Sequence, residues 1–412
     1  MSGRTMADQP WLTAPETQRV LEALQAAGGD DCVRFVGGCV RNALLGAPVD
    51  DLDLATKLRP EQSMAALKAA GVKVVPTGID HGTVTAVSGK RPYEITTLRR
   101  DVETDGRRAV VAFTDDWSED AARRDFRLNA LYADAGGRVF DPTGEGVADL
   151  EAGRIVFVGD ARTRIREDYL RILRFFRFHA WYGRGEPDPV GLEAAGELAG
   201  GVARLSVERV WKELIKLLAA REPAPSVRAM ATSGVLGKTL PEASDDLGPF
   251  VVMAQAVAEP ELRLSALLPE DPVVVEAAAR RLRAPNAVTA RLAVAARGGV
   301  DAETDERRMR ALVWSDGIEG AVDQAWRALA AGRVHAVKAG RLVAAAQGWD
   351  RPRLPVGGRE AAAAGAAPGP EIGLTLKAFE TQWIAEDFPV DGHQQRLASA
   401  LRKVRASSAQ SA

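Results

Sequence analysis

The sequence predicts an α+β protein: a mixed-sheet head followed by an all-helical neck, body and tail. Three observations predict it. Over roughly the first 140 residues, short runs rich in β-branched and aromatic residues alternate with helical stretches. After about Asp149 the period-two alternation disappears, Ala becomes frequent, and apolar residues such as Ile165, Leu170, Leu173 and Phe176 recur at helical spacing. Pro- and Gly-rich breaks at Gly183–Pro189, Arg221–Pro225 and Ala367–Pro370 then separate helical blocks. At ~150 residues per domain, 412 residues make two or three domains. The expected division is a head over 1–145, a helical neck over 146–220, and a helical body and tail over 221–412.

The elements follow in order. Thr13 and Pro15 open a helix to residue 27 whose apolar face is Val20, Leu21 and Leu24. Val33–Val36 is a strand that ends at Gly37-Gly38 and feeds a helix from Val40 to Leu45, stopped by Gly46. Val49–Leu54 reads as a strand with acids on alternate positions, and Glu61–Ala70 as a helix. Val72–Val75, Thr83–Ser88 and Tyr93–Leu98 read as strands. The span Asp101–Asp120, with Arg107 and Arg108, reads as a mobile loop.

Composition narrows the function classes. Hydrophobic residues make up 46% and charged residues 27%, an ordinary globular balance. The formal charge of −2 rules out a uniformly basic coat, though not a local basic patch. Cys32 and Cys39 cannot build a disulfide framework and fall short of a four-ligand structural zinc site. No apolar h-region follows Met1, and no run of ~18 apolar residues occurs. A cytoplasmic protein with no membrane partner is therefore expected.

The chemistry begins with carboxylates. Asp51 and Asp53 are two apart on a predicted strand, which puts both side chains on one face and sends Leu52 and Leu54 to the other. Paired carboxylates repel unless a cation lies between them, and Mg²⁺ is commonly held by a few carboxylates plus water and phosphate. Taken alone, Asp-x-Asp is more often a polar turn. The preceding Gly37-Gly38 turn, with Arg41 one helical turn on, adds a place where backbone N–H groups approach an anion. Together the two suggest a site for a nucleoside triphosphate and a metal.

Val36-Gly37-Gly38-Cys39-Val40-Arg41-Asn42, then Leu44-Leu45-Gly46 and Asp51-Leu52-Asp53, resembles the head of the class II tRNA nucleotidyltransferase and bacterial poly(A) polymerase family. The resemblance implies a polymerase-beta-like nucleotidyltransferase fold for the head, with Asp51 and Asp53 as catalytic metal ligands. It makes Glu94 a third acidic residue near them. Arg123-Arg124-Asp125-Phe126-Arg127-Leu128-Asn129 resembles the family's second motif, implying that Arg124 and Asp125 bind phosphates and ribose with Asn129 nearby. Two departures stand out: Asn42 and Arg127 replace the family's usual Asp and Thr.

Asp168, Arg171, Arg174 and Arg177 advance by three, so neighbours in the series share a helix face. Spacing alone favours an exposed ion-paired stripe. Cytosine and adenine, however, both present an amino donor beside a ring-nitrogen acceptor, which a carboxylate and a guanidinium match. Uracil and guanine present the reverse polarity, and mismatch leaves buried groups unpaired. Glu167-Asp168-x-x-Arg171 is also similar to the family's base-recognition motif. Between Arg162 and Arg184 there are seven Arg and two acids, a local face suited to triphosphate and RNA phosphates.

The resemblance thus implies addition of C, C and A to a tRNA 3′ end from CTP and ATP, with pyrophosphate released and Mg²⁺ as cofactor. The Asp101–Asp120 span is then expected to assist the switch from C to A. A poly(A) polymerase, a partial CC- or A-adding enzyme, and a noncatalytic RNA-binding protein are the alternatives.

Overall fold

The computed structural model describes residues 5–105 and 108–410. The chain divides into two compact units, Met1–Pro241 and Glu242–Ala412. The unit boundary falls past the Arg221–Pro225 break used above to divide the chain.

The first unit opens with α1 (Pro15–Gly28), β1 (Val33–Val36), α2 (Gly38–Leu44), β2 (Leu52–Thr56), α3 (Pro60–Ala69), β3 (Lys73–Gly78), β4 (Thr83–Ser88) and β5 (Arg91–Thr97). Next come β6 (Arg99–Asp105), β7 (Arg108–Phe113), α4 (Trp117–Ala122), β8 (Tyr132–Ala133) and β9 (Val139–Phe140). Helices α5 (Gly146–Ala152), α6 (Ala161–Glu167), α7 (Leu170–Tyr182), α8 (Pro189–Glu197), α9 (Val207–Leu218), α10 (Ala224–Thr232) and α11 (Val235–Thr239) complete it. The α+β class is therefore observed: strands confined to the head, helices thereafter.

Seven strands form one sheet in the order β3-β4-β5-β2-β1-β8-β9. Only β2 and β5 run parallel, with Asp53 opposite Glu94 and Leu54 opposite Ile95. Period two explains the placement. Tyr93 and Ile95 are buried while Glu94 is exposed. Helix α1 covers the buried face with Val20, Leu21 and Leu24, and its Thr17 Oγ1 lies 2.9 Å from Tyr93 Oη. Val49 and Asp50 precede the β2 ladder instead of joining it, because their carbonyls accept from Arg91 Nη2 at 3.3 and 3.1 Å.

The expected loop over Asp101–Asp120 is largely ordered structure. β6 and β7 pair antiparallel as a separate two-stranded sheet, and α4 follows. Gly106 and Arg107 lie outside the described residues, as does the side chain of Arg108, so the proposed switching role falls outside them too.

The second unit is helical among the described residues: α12 (Gly248–Ala256), α13 (Pro260–Ser265), α14 (Pro272–Arg281), α15 (Asn286–Ala295), α16 (Glu306–Ala330), α17 (Ala336–Gln347), α18 (Gly358–Ala363), α19 (Pro370–Ala385) and α20 (His393–Gln410). One core cluster gathers Met309, Val313 and Leu342; another gathers Phe379, Trp383, Phe388 and Leu397. Among the described residues no helix is long and apolar enough to cross a membrane.

Candidate active site

The carboxylates sit where the strand period puts them. Asp53 is half-buried on β2, Glu94 exposed beside it on β5, and Asp51 exposed one step before β2 with the same parity. Burial, then the neighbouring charges of Glu94 and Asp51, push the Asp53 carboxyl up to about 6, against the opposing pull of Arg124. Such a set is electrostatically unsatisfied by the protein itself. Among the described residues no three His, Cys, Asp or Glu side chains converge into a complete metal cage. Two hard carboxylates that leave the remaining positions to water and phosphate match the way Mg²⁺ is held at phosphoryl-transfer sites.

The turn between β1 and α2 runs through Gly37 at φ 70°, ψ −120°. A side chain there is strained, so glycine is required. A Cβ on Gly37 would lie 3.7 Å from Arg124 Nη1. The turn therefore faces the Arg124 guanidinium. Arg41, one turn on, is buried. It donates from Nη1 to Asn129 Oδ1 at 2.6 Å and from Nη2 to Tyr182 Oη at 2.8 Å. Asn129 Nδ2 donates to Asp125 Oδ1 at 3.0 Å, and Asp125 Oδ2 accepts from Arg174 Nε at 2.7 Å. Burial alone would raise the Asp125 carboxyl, but Arg174 and Asn129 outweigh it and bring it down to about 2. An unbroken hydrogen-bonded chain thus runs from the glycine turn to α7.

Arg124 is held by Asp120, accepting at 2.9 Å from Nη2, and by Tyr132 Oη at 3.1 Å from Nε. Asp120 also accepts from Tyr132 Oη at 2.7 Å and from Arg123 Nη2 at 2.6 Å. The departures from the family pattern have local explanations. Asn42 Oδ1 accepts from Arg41 Nη2 at 2.9 Å while its Nδ2 donates to Pro48 O at 3.0 Å, two bonds of opposite polarity that suit an amide. Arg127 pairs with Glu145 and reaches Asp149 at 3.5 Å.

The Asp168 series is not one continuous helix face, and this corrects the reading of the spacing. α6 ends at Glu167, and Asp168 is extended at φ −151°, ψ 106°. Its Oδ1 accepts from Leu170 N at 3.0 Å at the start of α7. Asp competes for backbone N–H groups and so favours such junctions over helix interiors. Nor does Asp168 pair with Arg171. Asp168 Oδ2 accepts from Arg209 Nη2 of α9 at 2.6 Å, and Arg171 pairs with Glu167 at 2.5 Å. Arg171, Arg174 and Arg177 do lie along α7. Arg174 binds Asp125, and Arg177 donates from Nε to Glu213 Oε2 at 2.5 Å.

Sequence reasoning missed Asp120, Tyr132, Tyr182, Arg209 and Glu213. Asp120 had a visible signal, standing three and four residues before Arg123 and Arg124. Tyr132 meets Arg124 and Asp120 across 8 and 12 residues over a break in regular structure, and Tyr182, Arg209 and Glu213 act across 36 to 141 residues of chain, where local periodicity carries no information.

Parts of the chain are similar to known proteins. Residues 33–156 match the poly A polymerase head domain. Residues 186–247 match the probable RNA and SrmB-binding site of polymerase A. The chain is 46% identical over 192 residues to the human mitochondrial CCA tRNA nucleotidyltransferase 1, covering 45% of this chain and 43% of that one. It is 41% identical over 224 residues to the CCA-adding enzyme of Streptococcus sanguinis, covering 54% of each. The matched stretch thus spans about half the length of these curated relatives. The fold resembles the Bacillus stearothermophilus CCA-adding enzyme solved with CTP, at a TM-score of 0.73 and 26% identity over 97% of this chain and all of that one. It also resembles, in fold, the Thermotoga maritima CCA-adding enzyme complexed with tRNA, at a TM-score of 0.69 and 19% identity over 98% of this chain and 100% of that one. Ordered motifs, a matching head domain and a similar fold agree: residues 33–156 carry a poly A polymerase head domain, and the chain is similar in sequence and fold to CCA-adding enzymes.

Proposed function

We propose that the protein adds C, C and A to the 3′ end of tRNA from CTP and ATP without a template. One observation carries the reading. Asp51, Asp53 and Glu94 share one end of a sheet whose next strand leads into the Arg41–Asn129–Asp125–Arg174 chain, ending on an Arg-lined helix beside Asp168. A cation-seeking carboxylate set beside fixed guanidiniums, with the Asp168 carboxylate held by Arg209 at the start of α7, supports this reading.

The chain's own groups divide the work. Asp51 and Asp53 would hold Mg²⁺, which when bound supplies charge neutralisation at the attacking and leaving oxygens. The tRNA 3′ hydroxyl oxygen forms a bond to the α-phosphorus as the bond to the pyrophosphate oxygen breaks, and the hydroxyl proton passes to solvent water. Arg124, fixed by Asp120 and Tyr132 and facing the glycine turn, orients the triphosphate. Asp125 accepts from the ribose, for which a 2′-OH is a suitable donor. Asp168 and Arg171 read the base edge. Arg174 and Arg177 add positive potential along the helix. Positioning and electrostatics suffice for phosphoryl transfer, so no histidine base is needed.

The test is incorporation by purified full-length protein on tRNA lacking its 3′ end, with each labelled nucleotide and Mg²⁺. CMP and AMP uptake that stops on chelation is expected, with little UMP or GMP. No uptake sinks the enzyme reading, and long A tails move the protein to the poly(A) branch.

A further inference from the structure

Trp181 is the only aromatic side chain among the described residues that stands largely in solvent, 48% exposed. It is not loosely placed. Its Nε1 donates to Lys216 O of α9 at 2.7 Å, which fixes the indole across two helices and uses its single polar atom. What remains available is an apolar π face.

Its position on the site helix gives that face a purpose. Trp181 follows Arg174 by seven residues, about two turns, which returns it to nearly the same side of α7 and carries it ~10 Å along the axis. The partly exposed stripe of α7 is therefore Arg171, Arg174, Arg177 and then Trp181. Next to it on α9, Lys212 and Lys216 are exposed and one turn apart. The adjoining Tyr182 hydrogen-bonds Arg41 of α2, so this end of α7 lies against the element that follows the glycine turn. A fixed aromatic face bordered by cations, on the same helix as the nucleotide-facing arginines, has the make-up of a single-stranded nucleic-acid platform.

We propose that Trp181 stacks on a nucleobase in the single-stranded 3′ end of the RNA acceptor, with Lys212 and Lys216 against its phosphates. The inference rests on the proposed function and extends it to a specific primer contact. With its N–H already satisfied, the indole offers stacking and no hydrogen-bond readout, so it grips the strand irrespective of sequence. At ~3.4 Å per nucleotide the ~10 Å from Arg174 to Trp181 corresponds to about three stacked bases, the length of a short 3′ overhang.

The experiment compares wild type, Trp181→Ala and Trp181→Phe in the full chain. Binding of tRNA with and without its unpaired 3′ nucleotides is followed by fluorescence anisotropy, and KM for CTP by single-nucleotide addition. Trp181→Ala is expected to weaken binding of the tRNA with unpaired 3′ nucleotides roughly tenfold or more, the loss of one base–aromatic stack. Trp181→Phe should restore most of it, and KM for CTP should stay within about twofold. Lys212→Ala should lower the slope of log affinity on log salt by ~0.7. Equal affinity of wild type and Trp181→Ala, or an equal loss on tRNA without unpaired 3′ nucleotides, overturns the inference. Wild-type activity in that assay keeps such a failure separate from failure of the proposed function.

Discussion

Replacing Asp120 by Asn tests whether one buried carboxylate organises the triphosphate side of the site. Asp120 is 1% exposed and serves Arg123, Arg124 and Tyr132 together. Asn keeps the shape but removes the charge and turns one acceptor into a donor facing guanidinium groups. Removing one partner of a buried ion pair costs ~3–5 kcal/mol. Arg123 and Arg124 keep 15% and 18% side-chain exposure, which favours the lower end. At ~2–4 °C per kcal/mol for a unit of this size, a loss of ~3 kcal/mol lowers Tm by ~6–12 °C. The pH dependence has a definite sign. Burial alone would raise the Asp120 carboxyl, but Arg124 and Arg123 hold it well below the usual carboxylate range. A depressed carboxyl stabilises fully above the unfolded value of ~3.9 and loses that contribution as pH falls. Calorimetry should therefore find the full gap between wild type and Asp120→Asn at pH ~7, shrinking below pH ~4. The variant should also raise KM for CTP, because Arg124 loses its anchor. A Tm within ~2 °C of wild type at neutral pH, or a gap that does not shrink in acid, would refute the reasoning.

Three further outcomes follow from the same geometry. Asp53→Asn should abolish nucleotide addition while raising Tm by a few degrees, since it removes a half-buried charge repelled by Glu94 and Asp51; scanning calorimetry without metal and an addition assay check both halves. Gly37→Ala should cost ~1–3 kcal/mol in urea unfolding and raise KM for CTP, because φ 70°, ψ −120° disfavours any Cβ. Arg209→Ala releases the Asp168 carboxylate and should lower discrimination of CTP over UTP by about tenfold, the weight of one charge-assisted hydrogen bond; single-nucleotide competition measures the ratio.

Local patterns made parts of this molecule legible. Asp51 and Asp53 with Leu52 and Leu54, and Glu94 between Tyr93 and Ile95, follow directly from strand alternation. The apolar face of α1 follows from helical spacing. Other parts lay beyond local pattern. Asp168 looked helical because the Arg spacing on either side of Leu170 is continuous, while the junction that Asp168 makes depends on a backbone turn. Its partner Arg209 is 41 residues away, and Tyr182 meets Arg41 across 141. The β6–β7 hairpin did carry a signal, the Asp105-Gly106 pair between β-rich runs. β8 and β9 are two residues each, too short for alternation to register.

The most direct measurement is the intact mass of the product when tRNA lacking its last three nucleotides is incubated with the protein, CTP, ATP and Mg²⁺. The account predicts a single product heavier by two cytidylates and one adenylate, with no further growth on longer incubation. Continued growth by adenylates, or no gain in mass, would contradict it.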